Sequence, residues 1–104
     1  KTTTKKNKLE WNVSEKDMKN DDSNMFYCFV AINDEPQKIF VIPAKIVSKV
    51  LRESHRLYMK VPMRDGSKRI KHSYRMLKNR FNVNAPSAPP GWMDKYLENW
   101  DQLK

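Results

Sequence analysis

The chain has 104 residues, enough for one domain with a single modest hydrophobic core. Its 21 basic and 12 acidic side chains give a net charge of +9. No apolar run reaches the roughly 18 residues of a membrane span, and no secretory segment opens the chain. The single cysteine excludes an internal disulfide, and no Cys/His cluster predicts a zinc site. We therefore expect a cytoplasmic protein without a structural metal and without membrane contact.

The positive charge is concentrated in two segments. Residues 1–8 carry four lysines and no acid, and residues 45–80 carry twelve basic side chains against two acids. A concentrated basic segment is expected of a protein that binds a polyanion, and an ordinary solvated helix face is the equally open alternative. Because the chain begins with Lys1 and not with Met, we expect it to be part of a longer protein.

The amino-terminal third is predicted to hold two strands and a short helix. Residues 9–13 alternate apolar and polar side chains, which is typical of a half-buried strand. The threonines of residues 2–4 favour an earlier strand, with residues 5–8 as the turn between the two. Ser14 predicts a helix start, because it can cap the helix and Asp17 is favourable in the first turn.

A β-hairpin is the firmest structural prediction. Residues 25–32 (MFYCFVAI) and 38–42 (KIFVI) are apolar runs rich in aromatic and β-branched types, and the polar residues 33–37 join them. We expect a hairpin over about 26–42 with its first strand buried on both faces. Cys28 would then be a core thiol and not a nucleophile.

A helix is predicted at about 44–59, beginning after Pro43. Apolar side chains recur on one face at spacings of three and four residues, and basic ones lie mostly on the other. The predicted inward positions are Ile46, Val47, Val50, Leu51, Leu57 and Tyr58.

The last third is predicted to hold a loop, two helices and a linker. Residues 62–71 are polar and basic and favour a loop, and residues 73–80 favour a short helix with Tyr74, Leu77 and Phe81 inward. Residues 82–91 contain three prolines and indicate an irregular linker. The apolar stripe Met93, Tyr96, Leu97, Trp100 and Leu103 predicts a C-terminal helix. The expected fold is thus α+β, a short antiparallel sheet packed by the helix at 44–59 and by the C-terminal helix.

The candidate nucleic-acid contacts are the basic side chains of the central segment. Each phosphate contact would release counterions and make affinity depend on salt. The set is Lys45, Lys49, Arg52, Arg56, Lys60, Arg64, Lys68, Arg69 and Lys71.

Other reactive residue types have simpler explanations. His55 and His72 are the only histidines, and surface roles are favoured over that of a catalytic base. Base stacking is open to the three tryptophans, with core packing favoured for Trp100 by its helical spacing. The acidic pairs at 21–22 and 34–35 lack the spacing of a calcium loop.

The order of the sequence elements resembles a known family. A Lys-Thr pair is followed by Leu9-Glu10-Trp11, Phe26-Tyr27-Cys28-Phe29-Val30, Ile39-Phe40-Val41-Ile42-Pro43, a helix with Ser54-His55, Gly66, a basic stretch, Tyr74-Arg75-Met76 and Trp100-Asp101-Gln102-Leu103. Across most of its length, the chain resembles the C-terminal part of bacterial proteins of the PD-(D/E)XK nuclease superfamily. The resemblance implies part of a restriction-endonuclease-like fold.

The resemblance also implies a role for Lys1. In that superfamily two adjacent strands carry acids that hold Mg²⁺, which polarises the phosphate, and the second strand carries a lysine that stabilises developing charge. Lys1 is the residue that matches this lysine, and the acids would precede it. The resemblance thus implies a Mg²⁺-dependent DNA endonuclease whose metal-binding residues lie outside this chain.

Three functional hypotheses follow. The first is a C-terminal part that completes a nuclease core and offers a basic surface to DNA, with the rest of its own parent chain or a second copy as a further partner. The second is an autonomous, non-catalytic module that binds nucleic acid or protein. The third is a structural accessory domain with an acidic partner.

Overall fold

The computed structural model describes residues 1–4, 8–20, 22, 24–69 and 74–100. This part of the chain folds as β1 (Thr2–Thr3), β2 (Glu10–Ser14), β3 (Phe26–Ala31), β4 (Lys38–Pro43), α1 (Ala44–Lys60) and β5 (Tyr74–Lys78), with 3₁₀ turns at Glu15–Lys19 and Asp94–Tyr96. The described residues form an α+β fold with two small sheets and one α-helix. No helix among the described residues is long and apolar enough to cross a membrane.

The predicted hairpin is confirmed. Strands β3 and β4 pair antiparallel, with Phe26 opposite Pro43 and Phe29 opposite Phe40. The two central phenylalanines are buried, so the cross-strand pair that holds the hairpin also forms the centre of the core.

The sheet that contains the hairpin is mixed. Strand β1 pairs parallel with β3, placing Thr2 opposite Val30, and the strand order is β1-β3-β4. The prediction of an antiparallel sheet therefore holds for the hairpin and is wrong for β1. The two strands that follow each other in the chain, β1 and β2, do not pair, because β2 belongs to the second sheet. Strand β1 pairs instead with β3, which runs in the same direction. The predicted turn at 5–8 falls largely on residues 5–7, outside the described residues.

The predicted helix at 73–80 is wrong. Residues Tyr74–Lys78 form β5, which pairs antiparallel with β2 and places Leu77 opposite Trp11. Arg75 and Leu77 are both buried, as the two-residue period of a strand requires. Pairing with β2 satisfies the backbone of this segment and overrides the local helical spacing; residue 73 lies outside the described part.

The predicted C-terminal helix is also wrong. Within the described part of the segment after residue 92, helical structure is limited to the 3₁₀ turn Asp94–Tyr96 and to Trp100. Leu97 then forms a bridge to Phe40, and the N–H of Glu98 donates to the carbonyl of Ile39 at 2.8 Å. Glu98 has φ 54°, which ends the helix. Edge pairing with β4 thus replaces the expected amphipathic stripe, and Leu103 lies outside the described residues.

The two sheets and α1 share one core. Val47, Val50 and Leu51 of α1 are buried together with Phe40 of β4. Trp11 of β2 packs at 5.4 Å from the ring of Phe29 and at 5.8 Å from that of Phe40. The helix at 44–59 is confirmed as α1, with Ala44–Lys60 as its bounds.

Several side chains predicted to be buried lie at the surface. Cys28 is exposed, because it points to the side of β3 opposite Phe29, so the prediction that this strand is buried on both faces is wrong. Tyr58 is 46% exposed and Trp100 is 43% exposed. The tryptophan that is buried near the C-terminus is Trp92, whose indole N–H donates to the carbonyl of Lys78 at 2.8 Å.

Candidate nucleic-acid interface

Helix α1 presents two contrasting faces. Its buried positions are Ala44, Val47, Ser48, Val50, Leu51 and Ser54. On the opposite side, all five basic residues of the helix are exposed, and we call this set the α1 basic stripe: Lys45, Lys49, Arg52, Arg56 and Lys60. Apolar burial therefore fixes which face of the helix meets solvent, and the stripe follows from it.

The α1 basic stripe is narrow and long. Successive members are separated by four, three, four and four residues, so they occupy roughly 80° of the helix circumference over about 22 Å. Among the described residues, none of the five makes an ion pair within 4 Å with a carboxylate. Within the described part of the chain, the only side-chain hydrogen bond of the set is from Arg52 Nε to the carbonyl of Ser48, at 3.3 Å. The cationic groups are thus available to an external anion.

One carboxylate borders the stripe. Oε1 of Glu53 accepts hydrogen bonds from the N–H of Ser87 at 2.7 Å and from its hydroxyl at 2.9 Å. These bonds, with smaller contributions from the charges of Arg56 and Lys49, hold the pKa of Glu53 below its usual value. Five cations against one ionised carboxylate leave α1 with a net charge of +4 when His55 is neutral.

The loop after α1 adds two exposed cations, Arg64 and Lys68. The loop is shaped by a turn in which the N–H of Gly66 donates to the carbonyl of Met63 at 2.8 Å, and Gly66 has φ 83°. Only glycine adopts this backbone conformation without strain. The predicted contact Lys71 lies outside the described residues.

Arg69 differs from the rest of the predicted basic set. It is half-buried, its Nε donates to the carbonyl of Val61 at 2.7 Å, and its Nη1 donates to the hydroxyl of Tyr58 at 2.8 Å. Its guanidinium carbon lies 4.1 Å from the centre of the Tyr58 ring. Arg69 is therefore held against the end of α1 by three contacts, an arrangement that the sequence did not indicate.

Lys1 lies next to a carboxylate that is already hydrogen-bonded. Its Nζ is 3.7 Å from Oδ2 of Asp17, which also accepts the backbone N–H of Ser14 at 2.8 Å. Oδ1 of Asp17 accepts the hydroxyl of Tyr27 at 2.6 Å. Burial raises the pKa of Asp17, but the bonds from Tyr27 and Ser14 and the charge of Lys1 outweigh it, so the pKa lies below its usual value.

The histidines and tryptophans considered as functional residues lie in different parts of the structure. His55 is half-buried on the flank of α1, and His72 lies outside the described residues. Trp11 and Trp92 are buried and cannot stack on bases, whereas Trp100 is exposed and donates to Oε2 of Glu98 at 2.9 Å. Within the described ranges, no three His, Cys, Asp or Glu side chains group closely enough to hold a metal ion. These residues by themselves therefore do not fit a Mg²⁺ site.

Comparison of the sequence with protein-family models gave no match, and comparisons with curated proteins and with solved structures gave none either.

Proposed function

We propose that the chain binds DNA through the α1 basic stripe and serves as the DNA-facing, C-terminal part of a metal-dependent endonuclease. The observation that supports binding is the stripe itself, five exposed cations on one face of α1 without an ion-paired carboxylate among the described residues. A structural helix face normally intersperses acids with its cations.

The dimensions of the stripe suit a nucleic-acid backbone. Its length of about 22 Å equals roughly six base-pair steps of 3.4 Å. Lysine and arginine contacts to phosphates position a protein without reading sequence. The proposed binding is therefore electrostatic, largely independent of sequence and strongly dependent on salt.

The test is fluorescence anisotropy of a labelled duplex titrated with the protein at low and at moderate salt. The variant Arg52→Gln/Arg56→Gln removes two central charges of the stripe. The control Lys8→Gln/Arg80→Gln removes two exposed charges outside α1. We expect the first variant to bind at least tenfold more weakly and the control to bind within about twofold of wild type. Equal losses in both variants, or no duplex binding at low salt, would refute the proposal.

The catalytic part of the proposal is supported by the placement of β1. In the described part of the chain, β1 pairs only with β3 and forms the outer strand of its sheet. Lys1 precedes β1 directly, so a strand that carries the missing acids could add at this edge. The metal-binding residues would come from outside the described residues, as the resemblance implies.

The test of catalysis is cleavage of supercoiled plasmid by the full-length protein with added Mg²⁺. The variant Lys1→Met removes the amine and keeps the length of the side chain, and Lys8→Met is the matched exposed control. We expect loss of cleavage in the first variant alone. Plasmid that stays intact with wild-type protein, or cleavage that is unaffected by Lys1→Met, would leave the non-catalytic binding module as the function.

A further inference from the structure

A cavity of about 310 Å³ lies beside the proposed DNA-binding face. Its walls come from the C-terminal half of α1, from β5 and from the segment after β5, with His55, Tyr58, Met76 and Phe81 among the lining side chains. On the helix surface, His55 lies three positions after Arg52 of the stripe, so the cavity begins on the adjacent flank of α1.

The cavity is cationic. Arg69, Arg75 and Lys78 line it, and no Asp or Glu is among its described lining residues. Arg75 is 4% exposed and its Nη2 lies 4.0 Å from Oε1 of Glu15, so its charge is shared with that carboxylate. Arg69 and Lys78 make no ion pair within the described part of the chain. A concave surface with this charge balance favours an anionic ligand.

Arg69 is held in position before any ligand arrives. The backbone of Val61, the hydroxyl of Tyr58 and the ring of Tyr58 fix its guanidinium. These two hydrogen bonds use two of its five N–H donors, which leaves three for a ligand. A fixed guanidinium fork loses little conformational entropy on binding, and a phosphate matches its geometry.

The remaining wall is mostly apolar. Leu51, Met59, Val61 and Val83 line the cavity together with the ring of Phe81. Inorganic phosphate would leave this surface exposed to water, whereas a flat aromatic group would cover it. The exposed amide of Asn82 offers one donor group and one acceptor at the rim.

We propose that this cavity binds a single nucleotide, with its phosphate on Arg69 and Lys78 and its base against the apolar wall. The volume lies at the lower end of the roughly 300–1,000 Å³ range of small-molecule sites, so it suits one nucleotide and not two. This inference deepens the proposed nucleic-acid function and rests on it for the source of the nucleotide, which is either free in solution or the phosphorylated end of a strand.

Isothermal titration calorimetry with AMP, adenosine and inorganic phosphate tests the site. We expect AMP to bind at least tenfold more tightly than either fragment, because only AMP uses both walls. The double variant Arg69→Met/Lys78→Met should lose AMP affinity at least tenfold. The matched control is Lys16→Met/Lys19→Met, which removes two exposed cations that neither line the cavity nor belong to the candidate nucleic-acid contacts; it should stay within about twofold of wild type.

Asn82→Asp is a second, nearly isosteric variant that keeps the fold and adds a negative charge to the lining, and we expect it to weaken AMP binding about fivefold or more. AMP that binds no more tightly than phosphate, or equal losses in the double variant and its control, would overturn the proposal. Wild-type affinity for AMP in both cavity variants would also overturn it.

A short single strand with a 5′-phosphate or a 5′-hydroxyl identifies the source. Tighter binding of the phosphorylated strand that disappears in Arg69→Met/Lys78→Met would support the end of a strand. Equal binding of both strands, with AMP still bound, would support a free nucleotide. The stripe variant Arg52→Gln/Arg56→Gln should keep AMP affinity and lose duplex affinity, so failure of the cavity and failure of the DNA-binding face give different results.

Discussion

The indole N–H of Trp11, on β2, donates a hydrogen bond of 3.1 Å to the carbonyl of Val30, on β3. This bond joins the two-stranded sheet to the three-stranded sheet. It also explains how a large aromatic side chain can be 2% exposed, since its one polar group has a partner in the core.

Replacing Trp11 by Phe should destabilise the protein. The variant keeps an aromatic ring but leaves the carbonyl of Val30 without this donor, which costs about 2 kcal/mol in the free energy of unfolding. The measurement is urea unfolding followed by far-ultraviolet circular dichroism. The control Trp100→Phe changes an exposed residue and should cost less than about 0.5 kcal/mol. Equal changes in both variants would contradict the role of the inter-sheet bond.

Two neighbouring residues of β5 should differ in their contribution to the free energy of unfolding. Leu77 is fully buried in the hydrophobic core, whereas Met76 is half-buried and its side chain points to the opposite face of β5. Leu77→Ala should lower the free energy of unfolding by about 3 kcal/mol, and Met76→Ala should cost about 1 kcal/mol. The same urea titration measures both. A larger loss at Met76 would show that the two faces are assigned wrongly.

The pair formed by Tyr27 and Asp17 predicts a dependence of stability on pH at both extremes. The lowered pKa of Asp17 means that its stabilising effect is present above the unfolded pKa of about 3.9 and is lost as pH falls through the folded pKa. Burial and the bond to Asp17 raise the pKa of Tyr27. Its effect is therefore present below about pH 10 and lost as pH rises through the folded pKa.

Tyr27→Phe should remove the dependence at high pH, because phenylalanine does not titrate, and should weaken the dependence at low pH. It should cost about 1 kcal/mol at neutral pH. Thermal unfolding between pH 3 and pH 11 measures this (both limits about 1 unit beyond the usual pKa values). The control Tyr96→Phe removes the hydroxyl of a half-buried tyrosine, and this hydroxyl has no hydrogen bond among the described residues. If Tyr27→Phe and wild type show parallel stability curves, the hydroxyl does not couple to Asp17.

The α1 basic stripe predicts the salt dependence of duplex binding. Each phosphate contact that is removed should lower the slope of log affinity against log salt by about 0.9. The triple variant Lys49→Gln/Arg52→Gln/Arg56→Gln should therefore lower it by up to about 2.7. The measurement is anisotropy over a series of salt concentrations. An unchanged slope with weaker binding would mean that these side chains do not contact phosphates.

Neutralising Glu53 should raise the affinity for duplex DNA. Its carboxylate lies beside the stripe, and the hydrogen bonds from Ser87 hold its pKa below the usual value. Glu53→Gln removes one repulsion against DNA and should raise duplex affinity about threefold at low salt. The control Glu35→Gln neutralises an exposed acid in the β3–β4 turn and should have a smaller effect. Weaker binding by Glu53→Gln would place the duplex away from α1.

The sequence by itself determined those elements whose pattern of apolar residues specifies the type of secondary structure. The hairpin over 26–42 and the helix α1 follow from continuous apolar runs and from one apolar helix face. The same face fixed the exposure of Lys45 to Lys60, because burying Val47 and Leu51 turns the opposite side to solvent.

Only the tertiary structure decided the rest. Residues 74–78 have helical spacing but form β5, because β2 offers a partner for their backbone. Leu97, predicted to lie in a helix, pairs with the edge of β4. Arg69, predicted to lie on the basic surface, packs against the ring of Tyr58. In each case a contact distant in sequence outweighs a local preference, because such preferences amount to less than about 1 kcal/mol per residue.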